Sequence, residues 1–296
     1  MGACHLTHLR ASANPISIIV SNRQVSHSVN LSSFLATHAV FTVGDLKQYM
    51  AQRGSSNQNT RKALLTYYRS RGRIVSIRRG LYATIPAGHN PATYPVDPFL
   101  VAAKTAEDAV LSYHTALEYH GKAYSAYSRF MYASGRRSQP IRFRGHDYVR
   151  VSVPHALETA DKRMFGVKSN YRDGVELRVT GYERTFVDVL DRPELSGTWE
   201  EIWRSLESIE FFDLEQVFHY VELLGNSTTA AKVGFFLDRH REALMVENDT
   251  LNSLRNLIPR QPHYLIRGSR SQCRLVSAWN LLVPEEILNW SWAEVQ

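Results

Sequence analysis

The sequence predicts an α/β (α+β) protein in two parts: a small N-terminal helical module ending in a β-hairpin, and a larger mixed α/β domain. Three observations carry this. The chain has 296 residues, 44% hydrophobic and 21% charged, which suits two globular domains with their own cores. Its charge is lopsided. Residues 1–96 hold eleven Lys and Arg against one acid, Asp45, a net +10, whereas the remaining 200 residues carry −3 of the chain's overall +7. Between the two lies "IPAGHNPATYPVDP", with four prolines and a glycine, a composition that interrupts regular structure. The expected divisions are an arm over 1–30, a module over 31–86, a linker over 87–96 and a domain over 97–296.

The arm contains one short apolar patch, Ile16 to Val20, too short for a signal sequence, and is expected to be poorly ordered. No run of about 18 apolar residues occurs, so no membrane helix and no membrane partner is expected. The two cysteines, Cys4 and Cys273, form no C-x-x-C pair. This argues against a cysteine zinc site and fits a reducing, cytoplasmic location.

In the module, "LSSFLATHAV" reads as a first helix. "TVGDLKQYMAQRG" reads as a second, with Thr42 as N-cap and Gly54 as its stop. After the polar turn "SSNQN", "TRKALLTYYRSRG" reads as a third amphipathic helix. "RIVSI" and "LYATI" then flank "RRG", a hairpin with Gly80 at its tight position. This is the element order of a winged helix-turn-helix, whose third helix would enter the major groove of double-stranded DNA while the hairpin meets the backbone. The candidate DNA-binding residues are Asn59, Thr60, Arg61, Lys62, Thr66 and Arg69 on the third helix, Arg71 and Arg73 beyond its end, and Arg78 and Arg79 at the wing tip. Leu65 and Tyr68 are expected to face the core, which turns Asn59, Lys62, Ala63, Thr66 and Tyr67 outward. The stripe Leu64/Tyr67 gives a competing register.

In the larger domain, "DPFLVAAKTA" reads as a helix. "AVLSYHTALEYHG" reads as a short strand leading into a helix capped by Ser112 and stopped by Gly121. "SRFMYAS", "IRFRG", "YVRVSVP" and "VELRVTG" read as strands, with "YRDG" a hairpin turn before the last. Thr180 and Glu183 have capping-box spacing for "YERTFVDVL". Further helices are expected from about Thr198, Asp213 and Ser227, and strands near the C-terminus in "YLIRG" and "RLVSAWNLLVP".

His114, Glu118 and His120 raise the question of catalysis. On a helix Glu118 lies about 40° around from His114, but His120 lies about 240° away. The histidines diverge, and a zincin pattern is absent. Arg184 and Asp188, four residues apart, are spaced to pair with each other rather than to hold a cation beside Glu183. "RGSRSQ", Arg267 to Gln272, reads as a surface turn. No phosphate-binding loop, dinucleotide fingerprint or nucleophile elbow is present, so neither a cofactor nor a metal nor an enzymatic activity is expected. The one unusual feature is basic: Arg129, Arg136, Arg137, Arg142, Arg144 and Arg150 against a single acid, Asp147. These arginines form a candidate partner surface.

From Phe41 onward, the fragments "FTVGDLKQYM", "GRIVSIRRGLYATIP", "DPFLVAAKTAEDAVLSYHTALEYHG", "GYERTFVDVLDRPELSGTWEEIWRSL" and "AAKVGFFLDRH" together resemble the AbiEi antitoxins of type IV toxin–antitoxin systems. The resemblance implies a winged-helix domain joined to a larger α/β antitoxin domain. It further implies repression of the protein's own operon, and opposition to a nucleotidyltransferase-like toxin in abortive phage defence. Its recognition helix is less typical of the family than its wing. The competing readings are a stand-alone transcriptional regulator with a ligand-sensing second domain, and a nucleic-acid-processing enzyme.

Overall fold

A computed structural model describes residues 31–266 and 272–289. The expected N-terminal arm and residues 267–271 of the "RGSRSQ" turn lie outside the described residues.

The N-terminal module runs α1 (Leu31–Thr37), β1 (Val40–Thr42), α2 (Val43–Ala51), α3 (Gln58–Ser70), β2 (Ile74–Arg78) and β3 (Leu81–Thr84). Thr42 caps α2 in a reciprocal box. Its hydroxyl accepts from the Asp45 amide at 3.1 Å, and the Asp45 carboxylate accepts from the Thr42 amide at 2.7 Å. Asn57 caps α3, its side-chain oxygen accepting from the Asn59 and Thr60 amides. The hairpin turns at Gly80, whose φ of +84° suits glycine.

Within the module, strand β1 is the element that the sequence did not predict. Its three residues pair antiparallel with β3, giving the order β1-β3-β2 and satisfying a β3 edge that would otherwise be open. Phe34, Phe41, Leu46, Met50 and Ile74 form the module's own core, and Leu64, Leu65 and Tyr68 of α3 pack against it. The register that places Leu65 and Tyr68 inward is the observed one. Leu64 joins them at the edge.

The rest comprises α4 (Pro98–Lys104), β4 (Val110–Leu111), α5 (His114–Tyr119), β5 (Arg129–Ala133), β6 (Ile141–Phe143), β7 (His146–Val151), α6 (His155–Thr159), β8 (Val167–Arg172), β9 (Val175–Thr180), α7 (Tyr182–Asp191), α8 (Trp199–Glu207), α9 (Leu214–Leu224), α10 (Ser227–Arg239), α11 (Asn248–Arg255), β10 (His263–Tyr264), β11 (Cys273–Val276), β12 (Leu281–Pro284) and α12 (Glu285–Leu288). The class is therefore α/β (α+β). Six strands form one mixed sheet in the order β6-β7-β5-β4-β9-β8, with β5 and β7 parallel and β4 and β9 parallel. The "YRDG" hairpin joins β8 to β9, with Asp173 and Gly174 both at positive φ. A small sheet, β10-β12-β11, packs with Trp279 near α10.

Two predicted caps fail. Helix α5 starts from Tyr113, at φ +57°, and the Ser112 hydroxyl donates to the Val110 carbonyl instead. The kink between β4 and α5 turns Ser112 away from the helix end. Thr180 and Glu183 form no capping box, because Gly181 is the N-cap of α7. Thr180 lies in β9 with its hydroxyl against that of Thr185 at 2.7 Å, and Glu183 accepts from the Asp213 amide at 3.3 Å.

Both faces of the six-stranded sheet are covered. Met131, Ala133 and Val151 face the helical layer with Phe186, Val189, Trp203 and Phe236. Phe130, Tyr132, Tyr148 and Leu177 face α4 and, beyond it, Val40, Ile77, Leu81 and Ala83 of the N-terminal sheet. That small sheet is thus buried on both sides. The charge boundary near Asp97 is not a packing boundary, although 85–97 has neither helix nor strand. Polar contacts reinforce the junction. Lys104 Nζ meets Asp45 at 3.0 Å, Arg78 Nη2 donates to the Thr105 carbonyl at 2.6 Å, and the Ala39 amide donates to the Asp173 carbonyl at 3.2 Å. Gly174 sits so close to the Thr37 carbonyl that a Cβ there would collide with it.

Candidate nucleic-acid interface and the buried histidine cluster

The outward face of α3 is polar and basic. Asn59, Lys62, Ala63, Thr66 and Arg69 are exposed, while Thr60, Arg61 and Tyr67 are half-buried. The five exposed positions recur at three- and four-residue spacing and so share one face, whereas Arg61, four residues before Leu65 and seven before Tyr68, lies on the side that packs inward. No carboxylate occurs in α3. The single acid of residues 1–96, Asp45, is engaged in the α2 cap and with Lys104. Burial alone would raise its carboxyl, but the Thr42 amide and the Lys104 ammonium outweigh that and hold it below the usual aspartate range. The positive charge of this face is therefore not offset from within its own module.

The other basic candidates divide. Arg71 is exposed, its guanidinium 5.6 Å from the Tyr67 ring. Arg79 is exposed at the wing tip. Arg73 donates through Nε to the Ile85 carbonyl at 3.0 Å and fastens the end of β3 to the end of α3. Arg78 is spent on Thr105. Structural bonds thus engage two of the ten sequence candidates, half-buried Arg73 and exposed Arg78, while α3, Arg71 and Arg79 carry no such bond.

The six arginines of the second part do not make one surface. Strand alternation puts Arg129 and Arg142, which flank Asp147 across β5, β7 and β6, on the face opposite to Arg150. Arg142 Nε lies 3.9 Å from Asp147. Arg144, in the β6–β7 turn, donates to the Pro91 carbonyl at 2.5 Å and tethers the connecting segment. Arg136 pairs with Glu107 at 2.7 Å, and Arg150 Nε donates to the Ser134 carbonyl at 2.9 Å.

His114 and His120 diverge, as the helical spacing predicts. His120 Nε2 donates to the Thr180 carbonyl at 2.8 Å. His114 is fully buried, with its ring stacked 3.9 Å from that of Tyr127. Its Nε2 donates to Glu201 at 3.2 Å, a partner 87 residues away that no local pattern reveals. Glu201 also accepts from the Ser125 amide and hydroxyl, at 2.9 and 2.6 Å. Burial would raise the Glu201 carboxyl, but these bonds and His114 hold it below the usual range. Burial lowers His114 and raises Glu118. The facing atoms, His114 Nδ1 and Glu118 Oε2, lie 3.8 Å apart with no other partner. The cluster clamps the segment after α5 onto α8.

Arg184 and Asp188 pair in the core at 3.3 Å. Asp188 also accepts from the Tyr220 hydroxyl at 2.5 Å, so both of its oxygens are occupied. Arg184 Nη1 donates to the Arg163 and Phe165 carbonyls. Among the described residues, no group of three or more His, Cys, Asp or Glu side chains is arranged to hold a metal ion, and no helix is long and apolar enough to cross a membrane.

The sequence matches no family model and no curated protein. The fold is similar to that of the RV2827C protein from Mycobacterium tuberculosis, known from a crystal structure. The two align with a TM-score of 0.54 and 17% identity over 85% of this chain and 89% of that one. The likeness is one of fold.

Proposed function

We propose that the chain is a DNA-binding repressor that acts as the antitoxin of a two-component toxin–antitoxin operon. The observation that carries the DNA-binding half is the face of α3: Asn59, Lys62, Thr66 and Arg69 exposed on one side of a helix with no carboxylate. Amide and hydroxyl groups on such a face read base edges, and guanidinium and ammonium groups hold phosphates. The order helix, strand, helix, helix, hairpin supports reading α3 as the recognition helix of a winged helix-turn-helix.

The antitoxin half rests on the resemblance of the quoted fragments to AbiEi antitoxins, and the partner it implies is a nucleotidyltransferase-like toxin. No catalytic step is assigned to this chain. The buried His114–Glu201 contact and the Arg184–Asp188 pair both serve packing. Co-expression with the neighbouring gene, scored by growth, tests the antitoxin half. A mobility-shift assay on the DNA upstream of its own gene tests the repressor half. A single winged helix covers few base pairs, so footprinting should protect two repeated half-sites. Toxicity from the neighbour without rescue by this chain, together with retained operator binding, would leave a stand-alone regulator.

A further inference from the structure

The segment after β5, from Ser134 to Gln139, is held at both ends. Asp108 accepts from the Ser134 hydroxyl at 2.6 Å and from the Gly135 amide at 2.9 Å. The Tyr132 hydroxyl donates to Ser138 Oγ at 3.1 Å. Arg150, on the neighbouring parallel strand β7, uses Nε to bond the Ser134 carbonyl. That bond leaves its two terminal nitrogens without a protein partner among the described residues. Arg150 and Arg137, with Ser138 and Gln139, line an open cleft of about 340 Å³.

Three features make this cleft more than a solvated charge. No carboxylate lines it. Arg136, which precedes Arg137 in the chain, is already paired with Glu107. The cleft also lies at the carboxyl ends of the parallel strands β5 and β7, the end at which α/β sheets bind ligands.

The lining offers two guanidinium forks, a hydroxyl and a carboxamide. A carboxylate would fill one fork, whereas a phosphoryl group has oxygens for both. We propose that this cleft binds a phosphoryl group, carried either by a free nucleotide or by the backbone of a single nucleic-acid strand. The site lies in the larger domain and does not depend on α3 reading DNA.

The test uses the full chain carrying Lys62→Ala and Arg69→Ala, so that α3 contributes little to phosphate binding. Pyrophosphate, ADP and a short single-stranded oligonucleotide of random sequence are titrated by calorimetry. At least one should bind. Arg137→Gln and Arg150→Gln should each weaken it by about tenfold, the loss of one charge-assisted pair. Arg129→Gln, on the opposite face of the sheet, should leave it unchanged. Binding of ADP and pyrophosphate alone assigns a free ligand, and binding of the oligonucleotide alone assigns a strand. Among the described residues Arg137 makes no internal bond that would complicate folding, so its substitution is decisive if Arg150→Gln unsettles the loop. Absence of heat with all three probes, or equal affinity in Arg137→Gln and Arg129→Gln, overturns the assignment. Loss of operator binding in the Lys62→Ala, Arg69→Ala background bears only on α3.

Discussion

Arg78 Nη2 donates to the Thr105 carbonyl at 2.6 Å, so one of the two wing-tip arginines is committed to the junction between the N-terminal sheet and α4. Both arginines are exposed, but Arg79 makes no such bond among the described residues. The two should respond differently to substitution. Arg79→Ala is expected to weaken binding to operator and random DNA alike. It should reduce the slope of log K against log salt by about one, because a phosphate contact carries no sequence information. Arg78→Ala is expected to cost about 1 kcal/mol of stability with a smaller change in that slope. Equal slopes for the two variants would contradict the assignment of Arg78 to Thr105.

Asp45 connects the α2 cap to Lys104, and its carboxyl is held below the usual aspartate range. A carboxyl lowered on folding contributes stability above its unfolded pKa, and that contribution is lost as pH falls through the folded value. Asp45→Ala should therefore cost about 1 kcal/mol at neutral pH. Its deficit should shrink in acid, below the ordinary aspartate range. A deficit independent of pH would mean that the ion pair contributes nothing.

Much of the fold was legible because it rests on local signals. Thr42 caps α2 as expected, Gly80 turns the hairpin, and the Leu65/Tyr68 register places Asn59, Lys62 and Thr66 outward. What was hidden depends on distant partners. Glu201 reaches His114 across 87 residues, and Thr105 takes Arg78 across 27. The caps assigned to Ser112 and Thr180 failed because the chain at Tyr113 and Gly181 fixed where each helix begins. The six arginines looked continuous in sequence. Their strand alternation, which divides them between two faces, follows only once β5, β6 and β7 are paired.

Glu118 is a carboxyl raised by burial, with Oε2 unpartnered opposite His114 Nδ1. Ionising it at neutral pH opposes folding, and this penalty appears as pH rises above its unfolded pKa. Glu118→Gln keeps an acceptor for the Tyr127 amide and supplies a donor for His114 Nδ1. The variant should melt a few degrees higher than the parent at pH 7, and the gain should vanish in acid. A lower melting temperature at pH 7 would show that the charge itself is needed.

A fragment beginning at Pro91 removes Val40, Ile77, Leu81 and Ala83 from the core they share with Leu100, Val101, Phe130 and Tyr132. The uneven charge predicts separable halves, but the packing does not. The fragment should bind a hydrophobic dye and melt well below the full chain, since newly exposed apolar area destabilises at about 25 cal/mol per Å². A fragment as stable as the parent would mean that the junction is weak.

The proposed repression depends on α3 reading DNA. Its most direct measurement is fluorescence anisotropy with the DNA upstream of the protein's own gene and a scrambled duplex of equal length, comparing Asn59→Ala, Lys62→Ala and Thr66→Ala with the parent. Asn59 and Thr66 should act as base readers, each substitution reducing the preference for the upstream sequence by about 1–3 kcal/mol. Lys62→Ala should weaken binding to both duplexes and lower the salt slope by about one. Unchanged affinity for both duplexes in all three variants would contradict the account.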